Sequence, residues 1–180
     1  MRIALLCGLL VLMITSTAQA LTIAAASDLR FALDEITKHY ADAYPDHNLR
    51  VIYGSSGKMT TQILNGAPYD VFFSADIRYP LQLAEAQMTA TEPRVYALGR
   101  LVVWHNQQGK RPLQLHDLAD LAQSGGRSAI AQPRHAPYGE RAREALQTAG
   151  IWEQVRPQLV YGENIAQTAG MVHSWAADAG

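Results

Sequence analysis

The sequence predicts an α/β protein with two lobes, in which mainly parallel sheets are flanked by helices. Short apolar runs are each followed by a small polar turn and then by apolar residues at helical spacing. Near the middle, the apolar run 101–104 leads into the polar, glycine-containing segment 106–111, which is where we expect the chain to cross between lobes. We therefore assign residues 21–100 to lobe 1 and residues 101–180 to lobe 2.

Lobe 1 is predicted to contain three strand–helix units joined by right-handed crossovers. Its short apolar runs, typical of buried parallel strands, lie at 21–26, 49–53 and 71–73. The helical patterns that follow them lie at 28–44, 58–65 and 81–87. This order corresponds to one parallel sheet with its turns at the carboxyl edge.

Lobe 2 repeats the architecture without repeating the sequence. Strands are predicted at 128–131 and 158–161, and helices at 115–121, 138–149 and 165–175. Residues 176–180 follow the last helix directly, with no apolar run that would form another strand. Because a parallel sheet needs a further strand to cover that helix, we expect a closing strand and a return to lobe 1 to be missing from this sequence.

The N-terminus predicts export from the cytoplasm. Arg2 precedes the apolar run 3–14, and the small residues Ala18 and Ala20 follow, so residues 1–20 form a predicted cleavable signal peptide. The single cysteine, Cys7, lies within this segment, which excludes disulfides, thiolate metal sites and thiol nucleophiles from the remainder. With a formal net charge of −1 and no basic stripe, we expect no nucleic-acid partner.

The stretch GSSGK at 54–58 resembles two functional motifs without matching either. A phosphate loop needs a glycine five positions before Gly57, where Ile52 stands. A nucleophile elbow around Ser56 needs glycine two positions later, where Lys58 stands. The stretch is therefore a short hydroxyl-rich turn between a strand and a helix.

Turns of this kind occur four times, at 24–27, 54–57, 136–139 and 162–165. A helix start offers unpaired N–H groups and a partial positive charge that attract anions, and in parallel sheets such turns share the carboxyl edge. Two facing lobes would thus direct four helix starts at one small anion. Ser27, Ser56 and Tyr138 add hydroxyl donors, whereas Lys58 is interpreted as a solvated helix residue. Ordinary helix capping is the alternative interpretation of any single turn.

Two functions of other kinds remain open at this point. A secreted hydrolase could use the helix starts as an oxyanion hole, with Ser27 or Ser56 as nucleophile and a histidine as base. The six histidines are scattered without metal-ligand spacing, and none has an evident claim to that role. A binding protein for sulfate, phosphate or another oxyanion would use the same turns.

Taken together, several stretches resemble the periplasmic molybdate-binding proteins of ABC-type importers, over nearly the whole chain after residue 20. The matching stretches are AAASDL (24–29), GSSGK (54–58), NGAPYDVFFSAD (65–76), YALGRLVVW (96–104), APYGERAREAL (136–146) and GENIAQT (162–168). The resemblance implies a type II periplasmic binding protein fold that closes on molybdate or tungstate. It also implies a periplasmic location, a membrane permease as partner, a monomer and no cofactor.

By position, the resemblance places the ligands of the oxyanion on Ser27, Ser56 and Tyr138 and on the backbone amide of Ile165. These residues would contact molybdenum only through the oxygens of the oxyanion, with no free cation, and none has an implied catalytic role. Some members carry asparagine where this chain has Asp28. A carboxylate would repel a dianion, so we expect Asp28 to point away from the site as a first-turn acid.

Overall fold

The computed structural model describes residues 20–106 and 111–180, so residues 1–19 of the predicted signal peptide lie outside it. The described chain forms two parallel sheets with helices around them, and the predicted α/β class is confirmed. The strands are β1 (Leu21–Ala26), β2 (Leu49–Gly54), β3 (Val71–Phe73), β4 (Ser128–Ala131) and β5 (Leu159–Gly162). Each lies within two residues of its predicted bounds.

The first sheet has the order β2-β1-β3, with every pair parallel. The central strand β1 ends in three alanines, of which Ala24 and Ala25 are fully buried. One core forms where Ile23 and Ala25 pack with Leu33 of the following helix. The carboxyl ends of these strands consequently point to the same edge, where the turns at residues 27 and 54–56 lie.

The second sheet pairs β4 with β5, again in parallel. Sequence alone predicts no strand pairing for residues 176–180, whereas in the structure Ala179 forms a bridge with Ser128. Gly180 also exchanges two backbone hydrogen bonds with Trp104, each 3.0 Å long. A pairing of one or two residues is too short to produce a recognisable alternation of apolar side chains.

Seven helices lie in the described residues: α1 (Arg30–Ala43), α2 (Ser56–Leu64), α3 (Arg78–Glu85), α4 (Asp117–Gln123), α5 (Pro137–Thr148), α6 (Trp152–Val155) and α7 (Ile165–His173). The predicted helix at 81–87 begins three residues later than α3, which includes Pro80 in its first turn. Proline fits the first turn, since its missing N–H would have had no partner there. None of the described helices is long and apolar enough to cross a membrane.

Separate apolar cores stabilise the two lobes. In lobe 2, Leu118 and Ala119 of α4 pack against Leu146, Ile151 and Val155, and a second cluster surrounds Val172. Residues 86–106 contain no helix or strand. Of the predicted crossing at 106–111, residues 107–110 lie outside the described residues. The lobe boundary at residue 100 remains a prediction. None of the apolar clusters in the described chain spans the two lobes.

Candidate functional site

A narrow cleft between the two sheets is lined by residues of all four predicted turns. The chain reaches it where β1, β2, β4 and β5 end and the next helix begins. Ser27, Ser56, Tyr138 and Ile165 all lie in its lining. The structure therefore brings together the four residues that the sequence singles out, although they come from distant parts of the chain.

Ser56 is the first residue of α2 and is fully buried. Its Oγ accepts a hydrogen bond of 3.0 Å from the backbone N–H of Ala75, which follows β3 and also lines the cleft. A serine hydroxyl that accepts one bond still has its own proton to donate. Ser56 can therefore donate to an anion in the cleft while its orientation is fixed by Ala75.

Ser27 occupies the equivalent position after β1, in a short 3-10 turn (Ser27–Leu29) that leads into α1. Its side chain is buried, and its Oγ accepts a 3.3 Å hydrogen bond from the backbone N–H of Ala166, in the first turn of α7. Because Ser27 belongs to lobe 1 and Ala166 to lobe 2, this bond crosses the cleft. Ser27 also retains a hydroxyl proton for an anionic ligand.

Asp28 contradicts the expectation that it points away from the site. Its carboxylate accepts a 3.2 Å hydrogen bond from the Tyr138 hydroxyl across the cleft, and both residues line the cleft. Desolvation raises the pKa of Asp28, and hydrogen bonds from backbone N–H groups and from Tyr138 partly offset this rise. Desolvation and the neighbouring Asp28 charge together raise the pKa of Tyr138 to about 12.

The fourth turn connects β5 to the start of α7. The Asn164 side chain accepts a 3.0 Å hydrogen bond from the Gln167 backbone N–H and thereby caps the helix. The Ile165 N–H donates no hydrogen bond within the part of the chain that the structure describes. An N–H group in the first turn has no partner within its own helix. This amide is therefore available to an acceptor in the cleft.

Side-chain capping explains only one of the four helix starts. The helices that begin after β1, β2 and β4 have no side-chain cap in the described structure, whereas Asn164 caps α7. The hydroxyls of Ser27 and Ser56 accept hydrogen bonds from other elements instead. Helix capping therefore does not account for these two serines.

Two contacts at the cleft have no counterpart in the sequence predictions, and both involve His135 of lobe 2. Its Nδ1 lies 2.9 Å from the Ser55 Oγ, and its carbonyl accepts a 2.9 Å hydrogen bond from the Gly57 N–H. Desolvation and the positive charge of Lys58 lower the pKa of His135. No sequence signal distinguishes this histidine from the other five, because its partners lie about eighty residues away.

Three ion pairs also join the two lobes. Lys58 of lobe 1 forms an ion pair with Glu163 of lobe 2. Nearby, Arg78 of lobe 1 bonds Glu140 of lobe 2 at 2.6 Å, and Arg141 of lobe 2 lies 3.3 Å from Asp76 of lobe 1. We call these six side chains the rim. They join the lobes, but none of the lining residues of the cleft is Lys or Arg.

The geometry does not support the hydrolase alternative. His135 contacts Ser55 and not Ser27 or Ser56, the two serines proposed as nucleophiles. Its Nε2 lies 3.8 Å from Glu163, whose carboxylate is already paired with Lys58. Within residues 20–106 and 111–180, no group of three or more His, Cys, Asp or Glu side chains could hold a metal ion.

Comparison with known proteins agrees with this geometry. Residues 21–180 match the model of a family described as bacterial extracellular solute-binding protein. A "Molybdate-binding protein ModA" from Rhodobacter capsulatus is 36% identical over 123 residues, which cover 67% of this chain and 47% of that protein. A second protein of that name, from Azotobacter vinelandii, is 29% identical over 182 residues, which cover 99% of this chain and 70% of the relative.

A solved structure shows the same fold. The Azotobacter vinelandii periplasmic molybdate-binding protein superposes with a TM-score of 0.75 and 32% identity, covering 89% of this chain and 69% of that one. This chain thus spans about half to 70% of the length of these relatives. The relatives are binding proteins, and the prediction that the chain is not an enzyme is confirmed. The chain belongs to the family of bacterial extracellular solute-binding proteins.

Proposed function

We propose that this protein binds molybdate, or the closely similar tungstate, in the cleft between its lobes. One observation carries the proposal: four helix starts, two from each lobe, line a single cleft that contains buried hydroxyls and no Lys or Arg. The hydroxyls of Ser27, Ser56 and Tyr138 and the amide of Ile165 would donate to the oxyanion. Two of the similar proteins are named for binding this anion, which supports the choice of ligand.

Neutral donors are sufficient to hold a dianion. A hydrogen bond to a charged group contributes roughly 1.5 to 3 kcal/mol, and a partly buried helix start up to ~2 kcal/mol. The four proposed donors would together contribute roughly 6 to 12 kcal/mol, to which the helix starts add. After the cost of desolvating the anion is subtracted, this is compatible with an affinity in the micromolar range. The proposed site therefore needs no bound cation.

Membership of the family supports a role in import. As a solute-binding protein, the chain would deliver its oxyanion to the membrane permease of an ABC importer. The predicted signal peptide would place it in the periplasm, and we expect it to act as a monomer that does not bind nucleic acid. Residues 21–100 and 101–180 would be the two lobes that close on the ligand.

A thermal-shift titration tests the proposed ligand. Molybdate and tungstate should raise the melting temperature in a concentration-dependent manner, because a ligand that binds only the folded state stabilises it by mass action. Sulfate and phosphate serve as controls of similar shape. Equal stabilisation by molybdate and sulfate would favour a general oxyanion-binding protein, and no response to molybdate would refute the proposal.

A further inference from the structure

We propose that the Asp28 carboxylate is an internal competitor of the bound oxyanion, since it takes up hydrogen-bond donors that the ligand also needs. The inference rests on the proposed function and adds a residue that limits affinity. Asp28 would set how tightly the cleft holds a doubly charged guest, without being one of its ligands.

The first argument is position. The carboxylate of Asp28 lies in the lining of the cleft and reaches Tyr138 of the opposite lobe, with 3.2 Å between Oη and Oδ2. It stands at the first of the four helix starts, where the nearby backbone N–H groups of Asp28 and Leu29 lower its pKa. An anionic group of the protein thus already takes up the Tyr138 hydroxyl, a donor that an oxyanion would use.

The second argument is the number of protons available. Tyr138 has one hydroxyl proton, so it can donate to Asp28 or to a ligand, but not fully to both. Its hydroxyl lies close to Gly99, where an added Cβ would come within 2.8 Å of the Oη. When Tyr138 donates to the ligand, Asp28 loses its cross-lobe partner, and the gain in binding is largely cancelled.

The third argument is charge. A carboxylate and a dianion in the same cleft repel each other, and this repulsion is strong where water is partly excluded. None of the residues that line the cleft carries a positive charge to offset it. The rim cations are paired with Glu163, Asp76 and Glu140. Removing the charge of Asp28 should consequently strengthen the binding of a dianion.

Calorimetric titration with molybdate of the wild type, Asp28→Asn, Tyr138→Phe and the double variant tests this proposal. Asp28→Asn keeps the shape of the side chain, and we expect it to bind at least about tenfold more tightly. Tyr138→Phe should lower the affinity of the wild type for molybdate by less than about threefold. In the Asp28→Asn protein the same change should lower it by about tenfold, because there the Tyr138 hydroxyl is free to donate to the ligand. Asp28→Ala, which cannot replace the cross-lobe bond, should also bind more tightly than the wild type.

Asp42→Asn is the matched control, because Asp42 is an exposed carboxylate on α1 outside the cleft. It changes the net charge equally and should leave the affinity unchanged. If the wild type binds molybdate and both Asp28 variants bind equally or more weakly, Asp28 is not a competitor. An equal loss of molybdate affinity when Tyr138→Phe is introduced into the wild type and into Asp28→Asn would also overturn the proposal. If none of the proteins binds molybdate, the proposed function itself fails, and this inference with it.

Discussion

The floor and the rim of the cleft join the same two lobes with different chemistry. The floor consists of Ser27, Ser55 and Ser56, all at most 5% exposed, together with the backbone N–H groups of the helix starts. The rim consists of ion pairs, and the side chains of Lys58 and Glu163 are 54% and 58% exposed. Apart from the Asp28 carboxylate, buried neutral groups thus face the ligand position, whereas the pair of Lys58 and Glu163 is exposed to solvent.

This difference suggests a division of roles. Hydrogen bonds from buried donors to an anion are strong and insensitive to salt, whereas exposed ion pairs contribute little and are screened. We therefore expect the floor to determine affinity and specificity, and the rim to adjust how the lobes fit together. Substitutions in the two regions should differ in size and in salt dependence.

The largest effect is expected for Ser56→Ala. The substitution removes a donor to the oxyanion and should weaken molybdate binding by about ten- to hundredfold. It also removes the acceptor of the Ala75 N–H, so the melting temperature of the ligand-free protein should fall. Calorimetry and thermal unfolding measure the two effects. The control is Ser124→Ala, at an exposed serine far along the chain in lobe 2, and an unchanged affinity for Ser56→Ala would remove this residue from the site.

A somewhat smaller loss is expected for Gly57→Ala, which acts on the fit between lobes. A Cβ at this position would lie 2.7 Å from the His135 carbonyl oxygen and 3.0 Å from the Tyr79 hydroxyl. Overpacking of this kind typically costs about 1 to 3 kcal/mol, so the affinity for molybdate should fall by about tenfold. The free energy of unfolding without ligand should change less, because the clash with the His135 carbonyl of lobe 2 is relieved when the lobes separate.

Gly170→Ala is the matched control for that substitution. Gly170 lies in α7 with open space around its Cβ position, so alanine should stabilise the helix by roughly 0.5 to 1 kcal/mol. Its affinity for molybdate should equal that of the wild type. If both glycine variants bind as the wild type does, the contact of Gly57 with His135 is not required for binding.

Much of the floor could be predicted from sequence, because it is built from local turn chemistry. A window of about six residues is enough to recognise a strand that ends in a small, hydroxyl-rich turn before a helix. Ser27, Ser56 and Ile165 all lie in such turns. Ala75 could have been found in the same way, since it follows β3 at the same edge of the sheet.

The contacts across the cleft could not be predicted in this way. The bond from Tyr138 to Asp28 joins residues 110 positions apart, and that between His135 and Ser55 joins residues 80 positions apart. Periodicity and capping rules describe neighbours within a few residues and carry no information on such pairs. For Asp28, the local rule that acidic residues favour the first turn of a helix predicts the wrong orientation of the side chain. The rule takes no account of the Tyr138 hydroxyl, a hydrogen-bond donor on the opposite lobe.

At the rim, Asp76 should show a pH-dependent contribution to stability. The hydrogen bond from Arg78, opposed in part by desolvation, lowers the pKa of Asp76 from 3.8 to about 2. A carboxylate with a lowered pKa stabilises the folded state above the unfolded pKa, and this contribution is lost as the pH falls through the folded pKa. The difference in unfolding free energy between wild type and Asp76→Asn should therefore be constant above about pH 5 and shrink between about pH 4 and about pH 2.

Urea unfolding of the ligand-free proteins over this pH range measures that difference. Asp42→Asn, which removes an exposed carboxylate on α1, should stay within about 0.5 kcal/mol of the wild type near neutral pH. A difference for Asp76→Asn that stays constant down to about pH 2 would contradict the assignment of the lowered pKa to this carboxyl group.

The smallest effect is expected for Lys58→Gln. The ion pair of Lys58 with Glu163 is exposed on both sides, so the affinity for molybdate should fall by less than about threefold, and the difference should vanish at about 1 M salt. Lys38→Gln, at an exposed lysine on α1, controls for the change in net charge. A tenfold loss that persists in high salt would mean that Lys58 contacts the anion directly, and the separation between a neutral floor and a charged rim would then be wrong.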